Sequence, residues 1–147
     1  MKRRAFLLGT VSATLILYEP ALAAPIQATL HRDPGCPCCG AYANYLRGNG
    51  FIVEIVPTLD FKEVGRKAGV PQAFEGCHTV FIGNYVVSGH VPIEFVRKML
   101  DERPPITGIA LAGMPAGSPG MDGDKTETFT IYAFTKDSKA PTVYATQ

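Results

Sequence analysis

Three of the four cysteines of this chain fall within four residues, Cys36-Pro37-Cys38-Cys39, and the fourth, Cys77, stands next to His78. Neighbouring side chains in a loop diverge, so thiols this crowded need a common partner. One such partner is a soft metal ion held by thiolates; another is a redox-active disulfide with a spare thiol beside it. Cys36 to Cys39 is also a C-x-x-C, the spacing of thiol–disulfide exchange, with Cys36 as attacking thiolate and Cys39 as resolving thiol. A purely structural disulfide framework is a third reading for cysteines in an exported chain. Adjacent Cys38 and Cys39 would form a strained ring, and Cys36–Cys38 would close a very small loop. Cys36–Cys39 is feasible, and Cys77 can join one of the three if folding brings it there.

The spacing bears on which metal. Structural zinc takes four tetrahedral ligands, commonly as two C-x₂₋₄-C pairs, and C-x-C-C with one distant cysteine matches that poorly. It matches the ferredoxin spacings no better. Copper(I) suits a crowded thiolate cluster, because it is soft and sulfur bridges it readily. Met114 and Met121 add thioethers from one glycine- and proline-rich segment, and His78 and His90 add imidazoles suited to copper(II). Each of these four has a plainer reading, as a gap-filling methionine or a backbone-bonded histidine. His31 reads as a surface histidine, and Asp33, Asp122 and Asp124 as solvated turn residues.

The elements that must carry these residues follow from periodicity. Ile26–His31 reads as a first strand, and Asp33-Pro34-Gly35 as a turn into the cysteines. Gly40–Arg47, with Tyr42, Tyr45 and Leu46 at helical spacing, reads as a helix that Gly48-Asn49-Gly50 stops. Phe51–Val56 is a β-branched strand, and Asp60 caps a helix running to Ala68. His78–Ile82 and Tyr85–Val91 form a hairpin about Gly83-Asn84, and Pro92 opens a helix to Glu102. The glycines and prolines of Gly108–Gly123 preclude a regular helix there, so an ordered flap is expected. Thr126–Thr135 reads as a last strand and Lys136–Gln147 as tail.

The order β-α-β-α-β-β-α is that of a thioredoxin-like fold. The expected class is α/β, a mixed central sheet flanked by helices, with an added Gly/Pro/Met-rich C-terminal flap and strand. In that fold Cys38 and Cys39 reach a helix N-terminus, whose dipole and unpaired N–H groups favour thiolate. The loop before the third strand faces the same spot, so the fourth sulfur should converge on the other three.

Residues 1–23 carry the marks of a cleaved export signal. Lys2, Arg3 and Arg4 precede an apolar run from Ala5 to Leu17, then Pro20 and an Ala21-Leu22-Ala23 cleavage site. Arg3-Arg4-Ala5-Phe6-Leu7-Leu8 also looks like a twin-arginine signal, so both export routes stay open. Losing residues 1–23 removes three basic and one acidic residue, turning the formal charge from +1 to −1. Residues 24–147 then form one domain by size, with no basic footprint for nucleic acid and no membrane anchor in the mature form.

Four motifs in order, Cys36 to Cys39, Gly76-Cys77-His78-Thr79, Tyr85 to Pro92 and Gly113 to Met121, resemble the exported metal-binding family that includes the copper-resistance protein CopG. The likeness spans roughly Ile26 to Met121. It departs at two positions, where Pro37 stands in place of a frequent glycine and Tyr42 in place of a frequent tryptophan. The resemblance implies a thioredoxin-like fold and a periplasmic role in copper tolerance. It further implies copper bound on Cys36, Cys38, Cys39 and Cys77, with His78, His90, Met114 and Met121 as secondary ligands. Copper redox chemistry at a multinuclear copper–thiolate site is implied too, with other periplasmic copper-handling or redox proteins as partners. Whether the chain turns over as an enzyme or carries copper is left open by the sequence.

Overall fold

The structure, a computed structural model, describes residues 24–137 and 139–147. The export signal expected over residues 1–23 lies outside the described residues. In chain order the elements are β1 (Ile26–Arg32), α1 (Pro37–Gly48), β2 (Phe51–Pro57), α2 (Phe61–Lys67), β3 (His78–Ile82), β4 (Tyr85–Ser88), α3 (Ile93–Glu102), β5 (Gly108–Leu111), β6 (Thr130–Phe134) and β7 (Thr142–Thr146). They build a mixed α/β architecture around a seven-stranded sheet of order β2-β1-β3-β4-β5-β6-β7. The β1/β2 and β4/β5 pairs are parallel and the other pairs antiparallel.

Strand side chains alternate between faces, and that alternation makes two cores. Val80, Ile82, Val87, Ile109 and Ile131 join the larger one, together with Cys39, Tyr42, Ala43 and Leu46 of α1 and Phe95, Val96 and Met99 of α3. The intervening residues Val86, Ala110 and Phe134 face the smaller core with Ala68 and Val70, just past α2. Helices therefore cover both faces, with α1 and α3 on one and α2 on the other. Tyr45 Oη accepts from the Ile93 N–H at 2.9 Å, and Arg97 donates to the Asn49 carbonyl at 2.8 Å, which ties α1 to α3.

Helix α1 begins earlier than the Gly40 expected from periodicity. Pro37 occupies its first turn, where a missing N–H costs nothing and a fixed φ is already helical. Cys38 and Cys39 thus lie within the helix itself. Asp60 stands at the N-cap of α2 as expected, although its side chain makes no capping hydrogen bond. The hairpin's second strand stops at Ser88, short of the expected Val91, because Gly89 turns the backbone to a φ of +78°.

The larger differences are C-terminal. The first four residues of the expected flap form β5, buried along its whole length between β4 and β6. A four-residue strand buried on both faces shows no alternation, so its periodicity is silent. The last strand is shorter than the expected Thr126–Thr135, and the expected tail supplies β7 on its outer edge, with Phe129 and Gln147 exchanging N–H···O=C bonds of 3.0 Å. Edge strand β7 is mostly exposed, so it carries no apolar stripe to read.

Ile109 is fully buried in β5. Ile109→Ala should therefore lower the unfolding free energy in urea by about 2–5 kcal/mol, the cost of a buried large-to-small change. A loss below ~0.5 kcal/mol would mean that residue 109 belongs to a loosely packed flap.

Candidate metal centre

The register of β1 against β3 pairs Arg32 with His78. Residues just past β1 therefore lie beside the residue just before β3. The Asp33 N–H donates to the Cys77 carbonyl at 2.9 Å, joining the two cysteine-bearing loops by their backbones. Within the first loop, Gly35 N–H donates to Asp33 Oδ1 at 2.8 Å, a local turn that aims the chain into α1. Arg32 donates from Nε to the Asp33 carbonyl at 3.1 Å and from Nη2 to the Pro34 carbonyl at 2.7 Å.

All four cysteine sulfurs meet there, within 4.8 Å of one another. Cys77 Sγ lies 2.9 Å from Cys36 Sγ, 3.0 Å from Cys39 Sγ and 4.0 Å from Cys38 Sγ, and Cys36 Sγ lies 3.2 Å from Cys38 Sγ. Cys36 and Cys39 are joined as a disulfide with Cα atoms 5.6 Å apart, while Cys38 and Cys77 are free and half-buried. Cys36 is the N-cap of α1, and no side chain caps that end, so the helix presents its positive terminus toward the sulfurs. Cys77 nevertheless holds its proton: burial, then the charge of and hydrogen bond with Cys38, push its thiol up to about 11. A soft ion binding Cys77 must displace that proton.

Behind the sulfurs sit two buried imidazoles. One ligand atom each from Cys77, His78 and His90 lie within 4.8 Å of one another. The His78 and His90 rings stand edge to face at 5.0 Å. Burial first, then the neighbouring His90, pushes His78 down to about 3, and burial also lowers His90. Both rings are neutral at pH 7, so each has one N–H and one lone pair. His78 Nε2 lies 3.3 Å from the Gly89 carbonyl and His90 Nδ1 2.7 Å from the Pro119 carbonyl, so those nitrogens carry the hydrogens and donate. The opposite nitrogens, His78 Nδ1 and His90 Nε2, are buried without a partner. Two buried lone pairs beside a sulfur cluster form a donor set suited to a cation.

Tyr42 sets the planes of both rings. Fully buried, it stacks on His78 at 5.1 Å and meets His90 edge-on at 5.2 Å, and its hydroxyl donates to the Val91 carbonyl at 2.8 Å. Its place three residues after Cys39 on α1 was legible in the helical spacing, but its contact with the histidines was not. Gly120 brings the Met-bearing loop onto the same spot. It has a φ of +81°, and a Cβ there would come within 2.8 Å of the Tyr42 nitrogen, so only glycine lets the Pro119 carbonyl approach His90.

The two methionines are placed differently. Met114 Sδ lies 3.9 Å from Cys77 Sγ, on a residue in the left-handed region at a φ of 48°. A non-glycine residue there costs about 1 kcal/mol, a cost often found where a loop must present a particular side chain. Met121 instead lines a surface hollow beside Cys38, with Pro37, Ala41, Gly120 and Asp122. His31 is half-buried rather than on the surface, edge-on to Phe81 at 5.5 Å, with its Nδ1 buried without a partner.

The neutral histidines give the metal-free protein a pH dependence. His78 is protonated near pH 6.5 when unfolded but only near pH 3 when folded, so its contribution is intact above pH 6.5 and fades as the pH falls toward 3. The full loss is on the order of 5 kcal/mol. Urea unfolding at pH 7 and pH 4 should show the metal-free protein losing much of its stability, and His78→Gln losing less between the same two pH values. Equal losses in the two proteins would show that His78 titrates normally in the fold.

The comparisons with known proteins agree with this geometry. The family described as "Protein of unknown function, DUF411" matches residues 74–121, the stretch that holds Cys77, both buried histidines and both methionines. Among curated proteins none matches the chain. Two solved structures do: "Copper resistance protein copG- Form 2", with a TM-score of 0.77, covers 84% of this chain and 99% of its own at 37% identity. "Copper resistance protein copG- Form 1" has a TM-score of 0.76, with 37% identity over 84% of this chain and 98% of its own. The resemblance read from the four motifs is borne out, and the chain belongs to the family of the copper resistance protein CopG.

Proposed function

We propose that this chain is a periplasmic copper-binding protein that contributes to copper resistance. Copper, as cargo, would be held by Cys36, Cys38, Cys39 and Cys77 in their reduced form. The observation that carries the reading is the meeting of these four sulfurs within 4.8 Å, three from the start of α1 and one from the loop before β3, with Cys36 and Cys77 41 residues apart. Thiolates in that density select soft copper(I), and a cluster of bridging sulfurs can take several ions. Met114 and the unpartnered nitrogens of His78 and His90 would complete the ligand set, and Met121 would stand at its rim. Copper redox chemistry would take place at this centre, since thiolate and thioether favour copper(I) while imidazole accommodates copper(II).

The β2-β1-β3-β4 order with α1 and α3 on one face and α2 on the other supports a thioredoxin-like core, and the loop from Ala112 to Gly123 supports a metal-facing flap added to it. Residues 1–23 would be the export signal and residues 24–147 a single domain. Among the described residues no helix is long and apolar enough to cross a membrane. Other periplasmic copper-handling or redox proteins would be its partners.

A second reading, a thiol–disulfide oxidoreductase using Cys36 and Cys39, is favoured by the disulfide those residues form. Cys38 and Cys77 count against it, because free thiols 3.2 Å and 2.9 Å from Cys36 Sγ would reshuffle a mixed disulfide with substrate.

Anaerobic titration of the reduced protein with copper(I) against a competing chelator separates the two. Cys38→Ser should weaken copper(I) binding roughly tenfold or more, about 1.4 kcal/mol. A Cys38→Ser protein that binds copper(I) as tightly as the native chain, and reduces insulin disulfides, would establish the oxidoreductase instead.

A further inference from the structure

One side chain beside the cysteines has no part in the ligand set. Arg32 ends β1, and on an alternating strand it shares the face of Leu30, which packs in the larger core with α1. Its guanidinium closes the turn that leads into the cysteines. Nε donates to the Asp33 carbonyl at 3.1 Å, the same oxygen that accepts the Cys36 N–H at 3.1 Å, and Nη2 donates to the Pro34 carbonyl at 2.7 Å. No carboxylate competes for this group, since among the described residues Arg32 joins no ion pair. Its third nitrogen, Nη1, rests against α1 at Gly40, next to Cys39. A Cβ on Gly40 would come within 3.2 Å of Nη1 and within 4 Å of no other atom outside α1. Glycine inside a helix is less stable than alanine, and here its missing side chain makes room for the guanidinium. One planar group thus spans the end of β1, the turn and the start of α1.

We propose that Arg32 is a positioning residue of the centre: its fork sets the turn and the start of α1 so that Cys36, Cys38 and Cys39 converge on Cys77 before copper arrives. For its consequence the proposal rests on the copper-centre reading, and for its cause on the contacts of Arg32 alone. A cluster already in place binds copper without first having to order the turn, and that raises affinity. Lysine cannot take over the role. Its ammonium is a compact point charge on a flexible stem, whereas the guanidinium is a rigid plane that holds two carbonyls with one edge and lies against Gly40 with another. The relevant property is therefore the shape of the group, beyond its charge.

The test compares the full chain in native, Arg32→Lys and Gly40→Ala forms. Three quantities are read: copper(I) affinity of the reduced protein against a chelator under argon, the urea midpoint of the metal-free protein, and the equilibrium of the mapped Cys36–Cys39 disulfide with glutathione. The last is measured without metal and reports how closely the turn holds those two sulfurs. Arg32→Lys should bind copper(I) roughly tenfold more weakly, and its disulfide should be roughly tenfold easier to reduce. Gly40→Ala is the sharper variant, because alanine favours the helix while its methyl displaces the guanidinium. It should unfold at the same or a higher urea concentration than the native chain and still bind copper(I) several-fold more weakly. Arg32→Lys at the native level in either readout overturns the proposal. So does Gly40→Ala with native affinity, or with a lowered urea midpoint, which would give the contact a role in folding alone. If Arg32→Lys does not fold, Gly40→Ala decides. Failure of the native chain to bind copper(I) would remove the copper centre, and the disulfide equilibrium would still decide the role of Arg32.

Discussion

The pairing of Arg32 with His78 across β1 and β3 is the constraint on which the rest of this structure depends. Side chains on a strand alternate between faces, so a slip of one residue would turn His78 out of the larger core and put Thr79 in its place. The same slip would carry Cys77 away from the loop that leaves β1. In the observed register the Asp33 N–H closes onto the Cys77 carbonyl, and a sulfur distant in sequence arrives within 3.0 Å of two others. Burial of Leu30, Val80 and Ile82 holds that register, since none of the three is exposed. The chemistry at the edge of the sheet is therefore maintained by apolar contacts in its middle.

A second layer orients the imidazoles. Each histidine donates to a backbone carbonyl, Gly89 for one and Pro119 for the other, which leaves its second nitrogen free. Tyr42 stands against both rings, held by its own bond to the Val91 carbonyl. The Pro119 carbonyl reaches His90 because Gly120 lets the loop press onto α1 at Ala41 and Tyr42. The Met-bearing segment is thus part of the site by contact as well as by composition. Such outer contacts fix ring orientation, and their loss weakens metal sites without removing a ligand.

Much of this was legible in the chain. The strands β1 and β2 and the three helices follow from apolar spacing, because each has a more buried and a wetter face, whereas β3, buried almost throughout, was read from its place in a hairpin about Gly83-Asn84. The meeting of Cys77 with Cys36, Cys38 and Cys39 followed from the order of the elements, and the four family motifs pointed to the same site. Other features left no periodic trace. β5 is buried on both faces, and β7 is an exposed edge. The start of α1 at Pro37 was obscured by a proline and three cysteines that read as loop, although proline in a first turn is favourable. Tyr42 was visible as a core residue but not as the wedge between two histidines, since that role needs β3, the turn after β4 and α1 together. Nor did spacing distinguish Met114, which touches a cysteine sulfur, from Met121, which lines the hollow beside Cys38.

The central claim is that Cys77 shares its cargo with the cysteines at the start of α1. Copper K-edge X-ray absorption of the protein loaded anaerobically with copper(I), in native and Cys77→Ser forms at equal copper content, tests it most directly. The account predicts a sulfur-dominated first shell in the native protein and a clear drop in sulfur scattering in Cys77→Ser. An unchanged sulfur shell in the variant would show that the distant cysteine takes no part in holding the metal.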